Sequence, residues 1–186
     1  MSAVELVGVA IAIPQPHAGV LTAWRRRVKD PAADLIWPHV TLLPPTAVRD
    51  DEMDKLHSHL ESVAEAARPF EMHLYGTGTF RPTSPVVFVQ VARGVADCEL
   101  LEAAIRSAPV NRDLDFPYHP HVTVAQDIDE AGLDDAYEGL AGFAARFTVE
   151  RFALFSRGAG QRWAWRQEYE LGHPVSPPDD PGITAP

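Results

Sequence analysis

The tetrapeptide Pro-His-Val-Thr occurs twice in this chain, at residues 38–41 and 120–123, and the two copies lie 82 residues apart. The sequence around the two copies agrees in pattern more than in identity. Each copy follows an apolar strand candidate and a helix candidate, and each precedes a second helix and a further strand. A chain that runs twice through the same order of elements is expected to form two similar halves.

The predicted elements before the two copies are strands at 4–13 and 85–92 and helices at 17–28 and 96–108. Those after the copies are helices within 46–67 and 127–145 and strands at 69–80, 146–157 and 161–171. The pattern predicts an α+β fold of two βαβα-type halves, residues 1–81 and 82–173. Because each half is small for an independent core, the two should pack as one domain around a pseudo-two-fold axis. Residues 174–186 are expected to form a disordered tail.

The composition is that of a single soluble domain of 186 residues. A formal net charge of -10 disfavours duplex DNA, which needs a clustered basic face, but it leaves a nucleotide or an RNA terminus as a partner. Cys98 is the only cysteine, so no internal disulfide can form and a cytoplasmic location is expected. The apolar start of the chain is shorter than a membrane span and lacks a basic signal-peptide region. We expect a monomer without a membrane partner.

The repeated motif has the pattern of a strand that offers one polar face to a cleft. Successive side chains of a strand point to opposite faces, so His39 lies beside Thr41, and His121 lies beside Thr123. Two imidazoles across a cleft can act as general acid and general base near neutral pH. Each threonine hydroxyl can bind an oxygen of a phosphate held between them. Such a site needs neither a metal nor another cofactor.

The stretches "PHVTLL" at 38–43 and "PHVTVA" at 120–125 resemble the two HxTx signatures of the 2H phosphoesterase superfamily. Within it the chain is similar to the 2'-5' RNA ligase-like (LigT-like) branch over residues 4–171. The resemblance implies a bilobal fold whose antiparallel sheets flank a central cleft. It also implies metal-independent hydrolysis of 2',3'-cyclic or 2',5'-linked phosphodiesters at nucleotide or RNA ends, with reversible ligation as a related activity. His39 would be the acid and His121 the base, each with its threonine, Thr41 or Thr123.

Two alternative hypotheses for the function of the same residues stay open. His119 and His121 have the spacing of a His-x-His metal-binding strand, to which His57 and His59 could add ligands, and this would make a metallohydrolase. The cleft could instead hold a nucleotide or RNA end without converting it, as a binding module. Paired His-Thr motifs favour the enzyme, because a non-catalytic phosphate reader does not need two proton-exchanging groups.

Several residues outside the motifs could assist, but each has a more ordinary interpretation. Arg81 and Arg157 could lie at the rim of a phosphate site, although a solvated surface role is expected for both. The basic run at 24–29 is expected to be a solvated helix face. Phe80, Tyr118 and Trp163 could stack on a base, yet aromatic residues in strands belong more often to the core.

Overall fold

The structure is a computed structural model that describes residues 4–107, 109–110, 112–158 and 161–172. The predicted tail at 174–186 lies outside the described residues. In the described ranges the chain forms, in order, β1 (Val4–Ala12), α1 (His17–Arg27), β2 (His39–Arg49), α2 (Asp50–Ala66), β3 (Phe70–Thr79), β4 (Val86–Arg93), α3 (Val95–Ile105), β5 (His121–Gln126), α4 (Glu130–Gly139), β6 (Ala144–Val149), β7 (Arg151–Arg157) and β8 (Trp163–Glu170).

The strands form two four-stranded antiparallel sheets, in the orders β2-β1-β7-β8 and β5-β4-β3-β6. This confirms the predicted α+β fold. The two motif strands, β2 and β5, lie at corresponding edges of their sheets and contact each other. Helix α1 packs on β5 and α3 packs on β2, so each motif strand is covered by a helix from the other half of the sequence. The cleft therefore lies where the two sheet edges meet.

Side chains of the two motif strands alternate between the buried core and a partly exposed face, as the sequence predicts. Val40 and Val122 are fully buried in the core, whereas the histidine and threonine on either side of each valine are only partly buried. β1 adds Val7, Val9 and Ile11 to the same core, and its opposite face is also buried at Ala10. Burial of the valine face fixes the register, because a slip by one residue would turn the histidines into the core.

Two element boundaries depend on strand pairing. The helix predicted within 46–67 begins at Asp50, because residues 46–49 continue β2 and pair with residues 4–7 of β1. The single strand expected at 146–157 is two strands, β6 and β7, which separate at the exposed Glu150. Strand pairing with a distant segment decided both cases, and local periodicity does not contain that information.

The break between β6 and β7 at Glu150 takes the chain from one sheet to the other. β6 pairs with β3, while β7, one residue later, pairs with β1 in the other sheet. Strand β3 belongs to the first sequence repeat but lies in the sheet of the second motif. Each sheet thus contains strands from both repeats. Among the described residues, no helix is both long enough and apolar enough to cross a membrane.

Candidate active site

Both motif histidines occupy the first position of their strands. His39 begins β2 opposite Ala12 of β1, and His121 begins β5 opposite Gln90 of β4. The Tyr118 hydroxyl, in the loop before β5, donates a hydrogen bond of 2.8 Å to the Thr41 carbonyl of β2. This bond ties the two motif strands together at the site.

The two imidazoles are oriented by the same backbone device. Nδ1 of His39 lies 2.6 Å from the Trp37 carbonyl oxygen, and Nδ1 of His121 lies 2.7 Å from the His119 carbonyl oxygen. A carbonyl oxygen only accepts, so each Nδ1 carries a proton and donates it to the residue two positions upstream. Among the described residues, Nε2 of neither ring has a hydrogen-bond partner. Each neutral ring therefore has an unprotonated Nε2 available for proton transfer.

Burial keeps both imidazoles neutral at pH 7. Desolvation, opposed by the hydrogen bond to the Trp37 carbonyl and assisted by the positive charges of Arg25 and of a protonated His121, lowers the pKa of His39 to about 4. Desolvation also lowers the pKa of His121, against the opposing hydrogen bond to the His119 carbonyl and with a smaller lowering effect of the His119 side chain. A protonated ring in this site needs a nearby negative charge.

Aromatic packing fixes the second imidazole. Phe80 meets the His121 ring edge-on with centroids 5.0 Å apart, and Phe88 lies 5.1 Å from the same ring. Phe88 is the strand partner of Gly78, and a Cβ atom at Gly78 would lie 2.5 Å from the Phe88 ring. The glycine is required by this close approach. It allows Phe88 to lie across β3 and support His121.

The motif residues line two adjoining cavities. The first, here the aromatic chamber, has a volume of about 680 Å³ and is lined by His121, Phe80 and Tyr118 together with Asp113 and Asp115. The second, here the arginine chamber, has a volume of about 530 Å³. Its lining includes His39, Thr123, Arg25, Arg157 and Trp163. Thr41 lines both chambers, so the four predicted residues surround their junction.

Arg25 lines the arginine chamber, and the sequence interpretation did not place it there. The basic run at 24–29 was predicted to be solvated, and this holds for Arg26 and Arg27, which form exposed ion pairs with carboxylates. It is wrong for Arg25, which is 2% exposed and pairs with buried Asp30 at 2.9 Å. The signal was the helical spacing, because Arg25 follows the buried Leu21 by four residues and shares its face.

The other residues considered outside the motifs divide between surface and cleft. Arg81 pairs with Glu130 at 2.7 Å and Asp134 at 2.8 Å and lines neither chamber, as its surface interpretation predicts. Arg157 is exposed but lines the arginine chamber. The three aromatic residues considered for stacking all line a chamber, and none is fully buried.

The histidines of the metal hypothesis lie in separate environments. His119 and His121 have parallel rings with centroids 6.1 Å apart in the cleft. On α2, Nδ1 of His57 bonds the Tyr169 hydroxyl at 2.6 Å, and Nε2 of His59 lies 3.1 Å from two carbonyl oxygens of α3. Across the part of the chain that the structure describes, no three His, Cys, Asp or Glu side chains are grouped to hold a metal ion. This arrangement does not support the four-histidine site.

The fold and the paired motifs confirm the resemblance to 2H phosphoesterases. The chain belongs to the 2'-5' RNA ligase superfamily, whose family model matches residues 13–161. A Bacillus mycoides protein and a Bacillus cytotoxicus protein, each named "Putative phosphoesterase", are 24% identical to it over 149 residues, which is 79% of this chain and 86% of theirs.

Solved structures show the same architecture. The crystal structure of E. coli LigT complexed with 3'-AMP superposes with a TM-score of 0.71 at 22% identity and covers 91% of this chain and 99% of that one. A Thermus thermophilus protein superposes with a TM-score of 0.63 at 22% identity, covering 90% and 98%. At these identities the likeness establishes the fold, and the function has to be argued from the site.

Proposed function

We propose that this protein is a metal-independent phosphodiesterase that opens 2',3'-cyclic phosphates, or cleaves 2',5' linkages, at nucleotide or RNA ends. The observation that carries the proposal is the matched pair of imidazoles. Each donates Nδ1–H to a carbonyl two residues upstream and leaves Nε2 free. Matched rings on facing strands suit a reaction that removes one proton and supplies another in the same step.

His39, Thr41, His121 and Thr123 are the proposed catalytic residues. In the order that the family resemblance implies, Nε2 of His121 takes a proton from water as its oxygen attacks phosphorus. Protonated His39 then supplies a proton to the 3' oxygen as the P–O3' bond breaks, which leaves a 2'-phosphate. The threonine hydroxyls donate to the non-bridging oxygens, where negative charge increases in the transition state.

The same arrangement accounts for a ligase activity. If a 5'-hydroxyl takes the place of water, its attack on the cyclic phosphate forms a 2',5' linkage and again releases the 3' oxygen. The reverse reaction exchanges the acid and base roles of the two histidines. The names of related proteins support this reaction class, since relatives are called phosphoesterases and LigT has been crystallised with 3'-AMP and with phosphate.

The proposal is tested by turnover of nucleoside 2',3'-cyclic monophosphates in excess chelator, with the product identified by ³¹P NMR. We expect wild-type protein to form the 2'-phosphate. His39→Ala and His121→Ala should each reduce the rate by about 10²- to 10⁴-fold, the usual contribution of one positioned acid or base.

His73→Ala is the matched control, because His73 lies on β3, outside both chambers. Binding of the nucleotides without turnover would establish the binding-module alternative. Turnover that stops in chelator and returns with an added metal would contradict the paired-histidine mechanism.

A further inference from the structure

The arginine chamber contains more hydrogen-bond donors than one reacting phosphate uses. Besides the motif residues, its lining includes the guanidinium groups of Arg25 and Arg157 and the amides of Gln126 and Gln161. Asp127 is the one carboxylate among the described lining residues. A cavity with two guanidinium groups and two amides suits an anion with several oxygen atoms.

Arg25 is held so that its terminal nitrogens stay available. Its Nε donates to Asp30 at 2.9 Å, and the other Asp30 oxygen accepts from the backbone of Ala32 at 2.8 Å. Among the described residues, Nη1 and Nη2 have no hydrogen-bond partner. No buried side-chain nitrogen or oxygen of the described residues lacks a partner, so these two atoms are not sealed in the core, and Arg25 is a lining residue of the arginine chamber.

Arg157 approaches the chamber from the end of β7, where it is paired with Trp163 of β8. It is exposed, and it forms no ion pair with any described residue. Its guanidinium is therefore available to a ligand, whereas Arg81 is already occupied by two carboxylates.

The aromatic chamber has two carboxylates, Asp113 and Asp115, where the arginine chamber has two guanidinium groups. Neither carboxylate forms an ion pair among the described residues. Arg112 also lines this chamber, but Nη1 of its guanidinium is engaged by the Pro45 carbonyl and the Thr46 hydroxyl of β2. An additional phosphate would be repelled there, while a base would find aromatic surface for stacking.

We propose that the arginine chamber binds a second phosphate, the one attached to the 5' oxygen of the nucleotide whose cyclic phosphate lies between the two motifs. This inference rests on the proposed function and narrows its substrate to 5'-phosphorylated ends. His39 and Thr123 line the same chamber as both arginines, so the two phosphates belong to one nucleotide. The phosphate can be a monoester or the next diester of an RNA chain.

The test compares kcat/KM for three substrates that share one reacting group. They are adenosine 2',3'-cyclic phosphate with a free 5'-hydroxyl, the same compound with a 5'-phosphate, and the dinucleotide ApA ending in a 2',3'-cyclic phosphate. We expect the second or third to exceed the first by about 10-fold, the factor that one charge-assisted contact provides. A preference for the dinucleotide alone would assign the chamber to an RNA diester, and a preference for the monoester alone to a mononucleotide.

Arg157→Gln should bring the ratio of 5'-phosphorylated to unphosphorylated kcat/KM close to 1, because it removes one guanidinium without disturbing a buried pair. Arg25→Lys, which keeps a positive charge beside Asp30 but loses the forked nitrogens, should lower the ratio as well. Arg81→Gln is the matched control and should keep the wild-type ratio.

The outcomes separate this inference from the proposed function. Equal kcat/KM for the phosphorylated and unphosphorylated substrates would overturn the second-phosphate site and leave the phosphodiesterase intact. A preference that survives in Arg157→Gln and in Arg25→Lys would also overturn it. Failure to convert any of the three substrates would overturn the phosphodiesterase itself.

Discussion

Each motif histidine is oriented by a peptide group and not by a carboxylate. A carboxylate at Nδ1 would stabilise the imidazolium, but the carbonyl oxygens of Trp37 and His119 carry no full charge. Desolvation therefore dominates, and both rings have a pKa below the usual value of a histidine. The negative charge that would favour a protonated ring has to come from the substrate.

The pH dependence of kcat/KM follows from these shifts. This parameter reports the pKa values of the free enzyme, and in the proposed mechanism the active form has one protonated and one neutral histidine. With the pKa of His39 at about 4 and that of His121 lowered from 6.5, we expect a bell-shaped profile with its optimum below pH 6.5. The optimum of kcat should lie at higher pH, because bound phosphate stabilises the imidazolium.

The measurement is initial rate against pH with a cyclic mononucleotide, whose phosphodiester keeps one charge over the whole range. Stability at each pH is checked by preincubation and assay at one common pH. A kcat/KM optimum at or above pH 7 would contradict the lowered pKa values.

The repeat in the sequence makes the four motif residues candidates for the site, but it could not reveal what supports them. Phe88 is an ordinary strand residue in the sequence, and its contact with His121 depends on the pairing of β4 with β5. The carbonyl acceptors at 37 and 119 are backbone groups, which no side-chain motif encodes. Arg25, in contrast, could have been found from its helical spacing.

At the scale of elements, the pairing of β3 with β4 positions the second imidazole. Gly78 lies opposite Phe88, and its missing side chain leaves room for the phenylalanine ring. We expect Gly78→Ala to displace that ring, to lower the free energy of unfolding by about 1–3 kcal/mol, the usual cost of overpacking, and to slow turnover.

Gly142→Ala is the matched control, because a Cβ atom there would meet no atom within 4 Å. Its stability should stay within about 0.5 kcal/mol of wild type. Urea unfolding and kcat with a cyclic nucleotide measure both effects. Equal stability and activity in the two variants would show that the Phe88 contact does not position His121.

Element prediction succeeded where the signal was local and failed where pairing was distant. The sequence predicts α2 as a helix from its acidic first turn and from the helical spacing of Leu56 and Leu60. The division between β6 and β7 was not readable, because the stretch around Glu150 is suited to a strand throughout. Only pairing with β3 on one side and β1 on the other separates the two strands.

At the scale of the whole molecule, the exchange of strands makes the two lobes depend on each other. Each sheet takes strands from both sequence repeats, and each motif strand is covered by a helix from the opposite half. We therefore expect one cooperative unfolding transition without a half-folded intermediate.

Two natural probes can test this expectation. Trp24 lies on α1, which packs on β5 of one sheet, and it is the only fluorophore of this kind once Trp37, Trp163 and Trp165 are replaced by phenylalanine. The buried single cysteine, Cys98, lies on α3, which packs on β2 of the other sheet. Burial raises the pKa of the Cys98 thiol to about 12, so its labelling requires opening of the structure. Tryptophan fluorescence and thiol labelling should change at the same urea concentration. Two separated midpoints would show that the lobes unfold independently.

The position of β2 and β5 at the edges of their sheets has a further consequence for solubility. An edge strand offers unpaired backbone groups to which another chain can add, and proteins normally protect such edges. Here the two edge strands contact each other, so the cleft at their junction also keeps both edges away from neighbouring molecules. The opposite edge of the first sheet, β8, is protected differently, by the charged side chains of Arg166, Glu168 and Glu170. In this fold the placement of the cleft is also a defence against aggregation.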